Sequence, residues 1–553
     1  PPSERPPTVF AGQLLHDGTV GAMLSALRTC AMWLCALAAA CDARFGTMHH
    51  RRDPGALVVA QAADITGLDL VRVSDSESIE VAEILFEGLV KWRPGTTDVE
   101  PALAMSWRVS PDALRWTFEL RRGVVFHDGT PLDADAVVMS FERILHAGHP
   151  SYVRGDDGLY WRTLLKDVRR VTARGPGTIE LEVARPYAPL LGQLAMFPIV
   201  SPAAVRRWRD DFRLHPVGTG AFAFESWDAG EQVVVKRFDR YWGARPALER
   251  IVFRVVVDAR QRLVDLQSGS GDLAAAILPD EQSFVELHPD LVLHHMSSHD
   301  VSYLAFNLSR AAFADRRVRR AVSHAINKEP IVKLAYQGRA IAADTPLPPG
   351  EWGYHMPAIR YGYEPATAKR LLDEAIADQA FDPSRVYKLY APTTPRPYLA
   401  QPERIARYLQ AAMAQLGVRV ELVLQPVALH RLSVARGEHD LALFGWISET
   451  GDPDNLLYVL LHSDNATHGS AQNIAFYRSP VVDDLLARAQ TAVEQEVRGR
   501  LYAEVLEVVA QDAPWVPLAH SELVVAARAD LEGVRLTPFG HPLYPLIRRR
   551  GTR

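Results

Sequence analysis

Apolar and polar positions change rhythm several times along this chain. Ala56-Leu57-Val58-Val59-Ala60 is a continuous apolar run of strand length. Residues 78–90 carry Ile79, Ala82, Ile84, Leu85 and Leu89 at helical spacing, which predicts a helix ending near Gly88. Trp116-Thr117-Phe118-Glu119-Leu120-Arg121 alternates like a half-buried strand, and Val124-Val125-Phe126 leads into a turn at His127-Asp128-Gly129-Thr130. Asp133 reads as an N-cap for a helix with Val137, Val138, Phe141, Ile144 and Leu145 on one face. Strand-like runs follow at 178–183, 232–238 and 251–257.

Beyond about residue 300 the texture becomes one of longer helices alternating with strands. Asp315 is placed to cap a helix burying Val318, Ala321, Val322, Ala325 and Ile326. Pro365 suits the first turn of a helix presenting Ala368, Leu371, Leu372 and Ala375. Residues 402–416 show Ile405, Leu409, Ala412, Met413 and Leu416; Gly417 ends that helix, and 418–424 alternate as a strand. The pattern is mixed α/β, with no internal repeat. The glycines of Val217-Gly218-Thr219-Gly220 read as a backbone turn, since no Lys-Ser/Thr follows as a phosphate loop requires.

Composition narrows the function classes. Of 553 residues, 48% are hydrophobic and 23% charged, enough to bury a large core. A formal net charge of −5 argues against a general nucleic-acid binder, which needs a basic surface. The three cysteines, Cys30, Cys35 and Cys41, all lie near the start. Thiolate zinc sites, iron–sulfur clusters, thiol nucleophiles and disulfides are thereby excluded from the body. No His-Glu-x-x-His, Gly-x-Ser-x-Gly or other nucleophile–base constellation is visible, so no enzyme is expected. No cofactor or metal is expected either, and the histidines lack a third ligand at metal spacing.

The cysteines sit within a targeting pattern. Arg28 precedes the apolar stretch 29–40, which is too short for the ~20 residues of a bilayer span and fits a secretory signal. Ala38-Ala39-Ala40-Cys41 resembles a bacterial lipobox, with Ala38 where Leu is usual. Residues 23–40 are therefore expected to be a lipoprotein signal, Cys41 the acylated residue and 41–54 a tether. An ordinary cleaved signal is the alternative. Residues 1–22 read as an upstream extension of the gene.

Several blocks, in order, resemble the extracytoplasmic solute-binding proteins of ABC importers, in the peptide and nickel-binding family. They include Phe86-Glu87-Gly88-Leu89-Val90, Phe126-His127-Asp128-Gly129-Thr130-Pro131, Val217-Gly218-Thr219-Gly220, Tyr241-Trp242-Gly243 and Gly451-Asp452-Pro453-Asp454. The likeness spans about residues 57–540 and is greatest to dipeptide-binding proteins, through Arg396-Pro397-Tyr398 and the segment from Trp446 to Asn455.

The resemblance implies an α/β two-lobed clamshell with a hinge. Lobe I would take 55–302, with an inserted subdomain near 95–215, and 515–553; lobe II would take 303–514. Residues 302–306 and 515–519 would be the crossing strands. A short peptide presents an ammonium and a carboxylate, and enclosing either without a counter-charge costs several kcal/mol. In the resembled proteins the Arg of the Arg-Pro-Tyr loop takes the carboxylate, here Arg396. The ammonium partner falls on Glu449, where the family usually has Asp. Asp452 is a nearby substitute, or a cap of the Pro453 turn. Trp446 would wall the site, and Tyr398 would touch ligand or pack beside Arg396. Gln61-Ala62-Ala63-Asp64 would face the cleft from lobe I. The expected protein is a monomer that hands short peptides to membrane permease subunits, lipid-anchored outside the cytoplasm. A nickel chelate, haem or glutathione is the alternative ligand, and a ligand sensor the alternative role.

Overall fold

A computed structural model describes residues 55–551 except 276, 278 and 538. The signal, lipobox, Cys41 and tether lie outside the described residues.

One strand organises the molecule. Trp515–Arg528 is 14 residues long, and its two halves belong to different ends of a 12-stranded sheet. Its first half pairs antiparallel with Asp300–Phe306, from Ser302 opposite Ala519 to Ala305 opposite Trp515. From there the second-lobe sheet continues through Leu441–Ile447 and Val386–Pro392 to Arg419–Gln425. Its second half pairs with Leu273–Ala274 and Leu291–Ser297. The first-lobe sheet then runs through Ala56–Gln61, Arg250–Val255, Gln232–Arg237 and Phe222–Asp228.

The chain thus crosses between lobes at Ser298 and His299 and inside the strand Trp515–Arg528, rather than along 302–306. At the crossing Asp300 is fully buried. Its carboxylate accepts from the Ser521 N–H at 2.8 Å and from the Ser521 hydroxyl. Burial raises the Asp300 pKa, and these donors pull it back.

The first lobe carries a separate four-stranded antiparallel sheet in the order Ala104–Val109, Arg115–Leu120, Thr178–Val183, Val168–Ala173. The helix Ala134–Leu145 packs against it, burying Val137, Phe141 and Ile144 with Trp116, Phe118 and Leu181. Asp133 caps that helix, its Oδ1 accepting from the Ala136 N–H at 2.9 Å. The second-lobe helices Arg316–Ala325, Pro365–Ala377 and Pro402–Gln415 follow the sequence pattern, each burying its apolar stripe.

One local expectation needs correction. The first-lobe helix is Ser76–Glu83, capped by Asp75, and it stops short of Gly88. Its continuation is pre-empted because the Leu85 carbonyl accepts from the Gly220 N–H at 2.9 Å. A Cβ on Gly218 or Gly220 would collide with the Leu85 or Ile84 carbonyl, which is why that turn carries glycine. Residues 124–126 lead into the turn at 127–130 as the sequence suggests, through an isolated bridge between Val125 and Pro131.

Candidate functional site

The strands Val386–Pro392, Arg419–Gln425 and Leu441–Ile447 run parallel, so their carboxyl ends lie on one side of the second lobe. In open α/β sheets, ligand crevices form outside the carboxyl ends of the strands. The chain leaving the first of these strands contains Arg396. The chain leaving the third contains Glu449.

Arg396 opens a tight turn closed by hydrogen bonds between Arg396 and Leu399, N–H to carbonyl at 3.1 and 2.8 Å. Leu399 is buried in the lobe's core, and the Tyr336 hydroxyl donates to the Tyr398 carbonyl at 2.7 Å, so the turn is fastened at its base. Arg396 itself is exposed. Among the described residues its guanidinium has no carboxylate partner. Tyr398 lays its ring over Gly445, and a Cβ at that position would collide with it. Burial raises the Tyr398 pKa, opposed by Arg396 and Arg431. Through Tyr398 and Gly445 the structure brings the Arg-Pro-Tyr loop onto the strand that leads to Glu449.

Glu449 is exposed at the far end of that strand. Asn455 holds its approach: one amide oxygen accepts from the Trp446 Nε1 and from the Glu449 N–H, each at 3.1 Å. Trp446 is half-buried against the second-lobe core. The Glu449 Oε2 accepts from the Tyr160 hydroxyl at 2.7 Å. Tyr160 lies on the first-lobe helix Leu159–Leu164, so this bond spans the cleft. Just before Glu449, the Ser448 N–H donates to the carbonyl of the crossing residue His299 at 2.7 Å. The site therefore abuts the hinge.

Asp452 does not join this group. It is buried, and its two oxygens accept from Arg498 at 2.7 and 2.6 Å. The Arg498 guanidinium in turn lies against the Trp352 and Tyr502 rings, which touch each other. Asp452 also accepts from the Asp454 N–H at 3.0 Å, the capping role open to it in the sequence. Its charge is spent inside the lobe. The first-lobe loop is similarly committed: Asp64 accepts from the Trp227 Nε1 and the Gly230 N–H, and Gln61 donates to Glu80.

The first-lobe blocks carrying the resemblance assemble elsewhere. The Glu87 carboxylate accepts from the Thr219 hydroxyl (2.8 Å), the Tyr241 hydroxyl (2.9 Å) and the Trp242 Nε1 (2.8 Å). His127 accepts from the Gly218 N–H and donates through Nε2 to the Gly220 carbonyl, and burial lowers its pKa to about 4. These motifs hold the first lobe together; they do not form the ligand site.

Missed by sequence reasoning were Tyr160, Asn455 and a second contact between the lobes. There, Gln490 accepts from the Ala188 N–H at 2.8 Å and from Arg185 at 3.2 Å, while donating to Asp454 at 3.2 Å. Tyr160 and Glu449 are separated by 289 positions, and no local pattern marks such a pair.

The model for bacterial extracellular solute-binding proteins, family 5 Middle, matches residues 98–468. The chain belongs to that family. It is 32% identical over 480 residues to heme-binding protein A of Haemophilus influenzae, covering 83% of this chain and 86% of that one. It is 31% identical over 475 residues to the dipeptide-binding protein of Escherichia coli, covering 82% and 87%. Among solved structures it is similar to the ABC transporter-associated periplasmic binding protein DppA of Helicobacter pylori in complex with the peptide STSA. That match has a TM-score of 0.73 at 30% identity, over 90% of this chain and 98% of that one. The two-lobed binding-protein fold follows, and with it a binding role rather than an enzymatic one. Among the described residues no helix is long and apolar enough to cross a membrane.

Proposed function

We propose that this family member is the solute-binding subunit of an ABC importer and captures di- or short oligopeptides between its lobes. The observation that carries this reading is the pairing of opposite charges on one lobe. Arg396 offers an uncommitted planar fork suited to a carboxylate, and Glu449 an exposed carboxylate suited to an ammonium. Trp446 and Tyr398 flank them. Ligand would bridge the lobes and stabilise the closed state by its differential affinity for it, and the permease subunits would receive that state. In the same reading 23–40 is a signal, Cys41 the lipid anchor, and the monomer acts outside the cytoplasmic membrane. In this reading lobe I takes about 55–302 with about 515–553, the subdomain near 95–215 is inserted in it, and lobe II takes about 303–514, the crossings at Ser298–His299 and inside Trp515–Arg528 falling within a few residues of these bounds.

Mass spectrometry of the ligand that co-purifies from cells tests this directly, followed by calorimetry against dipeptides, glutathione, haem and nickel–histidine. Tight binding of haem or the chelate, with none of the peptides bound, overturns the peptide assignment.

A further inference from the structure

The helix Val427–Ala435 follows the strand Arg419–Gln425 and so starts beside the same carboxyl ends that carry Arg396 and Glu449. It is fastened there. His430 is fully buried, and its Nε2 donates to the Leu443 carbonyl at 3.1 Å, on the strand that runs on through Gly445 under the Tyr398 ring. The next residue, Arg431, is exposed. The Thr393 N–H donates to the Gln425 carbonyl at 2.9 Å, which ties the chain leading to Arg396 to the chain entering this helix, and Arg431 lies one turn along it. Neither Arg396 nor Arg431 has a carboxylate partner among the described residues.

The charges do not balance for a simple zwitterion. A dipeptide with uncharged side chains brings one ammonium for Glu449 and one carboxylate for Arg396. When the cleft closes, a second guanidinium beside the first loses water without gaining an anion, which is unfavourable. A ligand with a second carboxylate removes that penalty and gains a charge-assisted pair.

We propose that Arg431 forms, beside Arg396, a second anion-binding position in the cleft, and that the favoured ligand is a dicarboxylate peptide with an acidic side chain. This rests on the peptide reading above.

Calorimetry on the mature chain with Ala-Ala, Ala-Gln, Ala-Glu and glutathione tests it. Wild-type protein is expected to bind Ala-Glu about tenfold or more tighter than Ala-Gln. Arg431→Gln is expected to bring that ratio within about twofold, with Ala-Ala bound at least as tightly as by the wild type, since the unpaired guanidinium is gone. Equal binding of Ala-Glu and Ala-Gln by wild-type protein overturns the inference while the peptide reading stands. So does a preference that survives Arg431→Gln. Glutathione, itself a dicarboxylate, separates the two ideas. Glutathione binding that is lost in Arg431→Gln, with no α-linked dipeptide bound, overturns the dipeptide reading and supports the paired arginines. Binding of none of the four overturns both.

Discussion

The Tyr160 hydroxyl donates to the Glu449 carboxylate across the cleft, so the residue read as the ammonium acceptor is also a point where the lobes touch. The Glu449 side chain is long enough for its carboxylate to reach the opposing lobe. One oxygen is engaged by Tyr160, leaving the other available to a ligand.

Glu449→Gln keeps the shape and removes the charge. Affinity for a peptide with a free amino group is expected to fall by about 2–5 kcal/mol if the pair is desolvated in the closed state. Binding of the N-acetylated peptide, measured in parallel, should be unchanged. An equal loss for both peptides would argue that Glu449 acts on lobe contact rather than on the ammonium.

Arg396→Ala should cost a comparable amount, about 2–5 kcal/mol, for every peptide with a free carboxylate. Amidated peptides should lose little. Unchanged affinity for the free acid removes Arg396 from the site.

Gly445→Ala tests how the loop is positioned. The new methyl group would collide with the Tyr398 ring and crowd the Val301 carbonyl. Tyr398 must swing away, taking the Arg396 turn with it. We expect weakened ligand binding together with a stability loss of roughly 1–3 kcal/mol, the usual range for overpacking, read from calorimetry and urea titration.

Asp452→Ala should behave in the opposite way. It strands Arg498 in the lobe interior, and unpaired buried charges of this kind cost about 3–5 kcal/mol. The deficit should appear in unfolding, with peptide affinity of the folded fraction retained.

Asp454 supplies a pH signature. Burial raises its pKa to about 7, from an ordinary value of 3.8. The fold favours the protonated acid, so that stabilisation is complete below about 3.8 and is lost as pH rises through about 7. Asp454→Asn stays neutral throughout and still presents an oxygen to Gln490. Its stability relative to wild type should therefore be greatest at pH 8 and decline as the pH is lowered towards 4. A pH-independent difference between the two proteins would discount the raised acid.

Much of the fold was legible because its signals are local. Asp133 and Asp315 cap the helices they introduce, and apolar stripes such as Val318, Ala321 and Val322 are buried together. What local pattern missed was set by distant partners. Leu85 continues a helical stripe, but its carbonyl bonds to Gly220. Asp452 sits where an ammonium ligand was plausible, yet Arg498, on the helix Gln495–Asp512, claims its charge. Arg396 and Glu449 could be named from resemblance alone; the neighbours that give them context, Tyr160, Gly445 and Asn455, come from across the fold.

The shared strand Trp515–Arg528 also constrains when this chain can fold. It stands between Asp300–Phe306 and Leu273–Ala274, in the middle of the joined sheet, yet it is synthesised long after both, with Ala519 lying 217 positions beyond its contact Ser302. Neither lobe can complete its sheet before this strand is present. Pairings of such long sequence separation make for slow folding. A chain built this way leaves both halves of the sheet open until residue 528 has been made, and a truncation before residue 515 deprives both lobes of a strand at once.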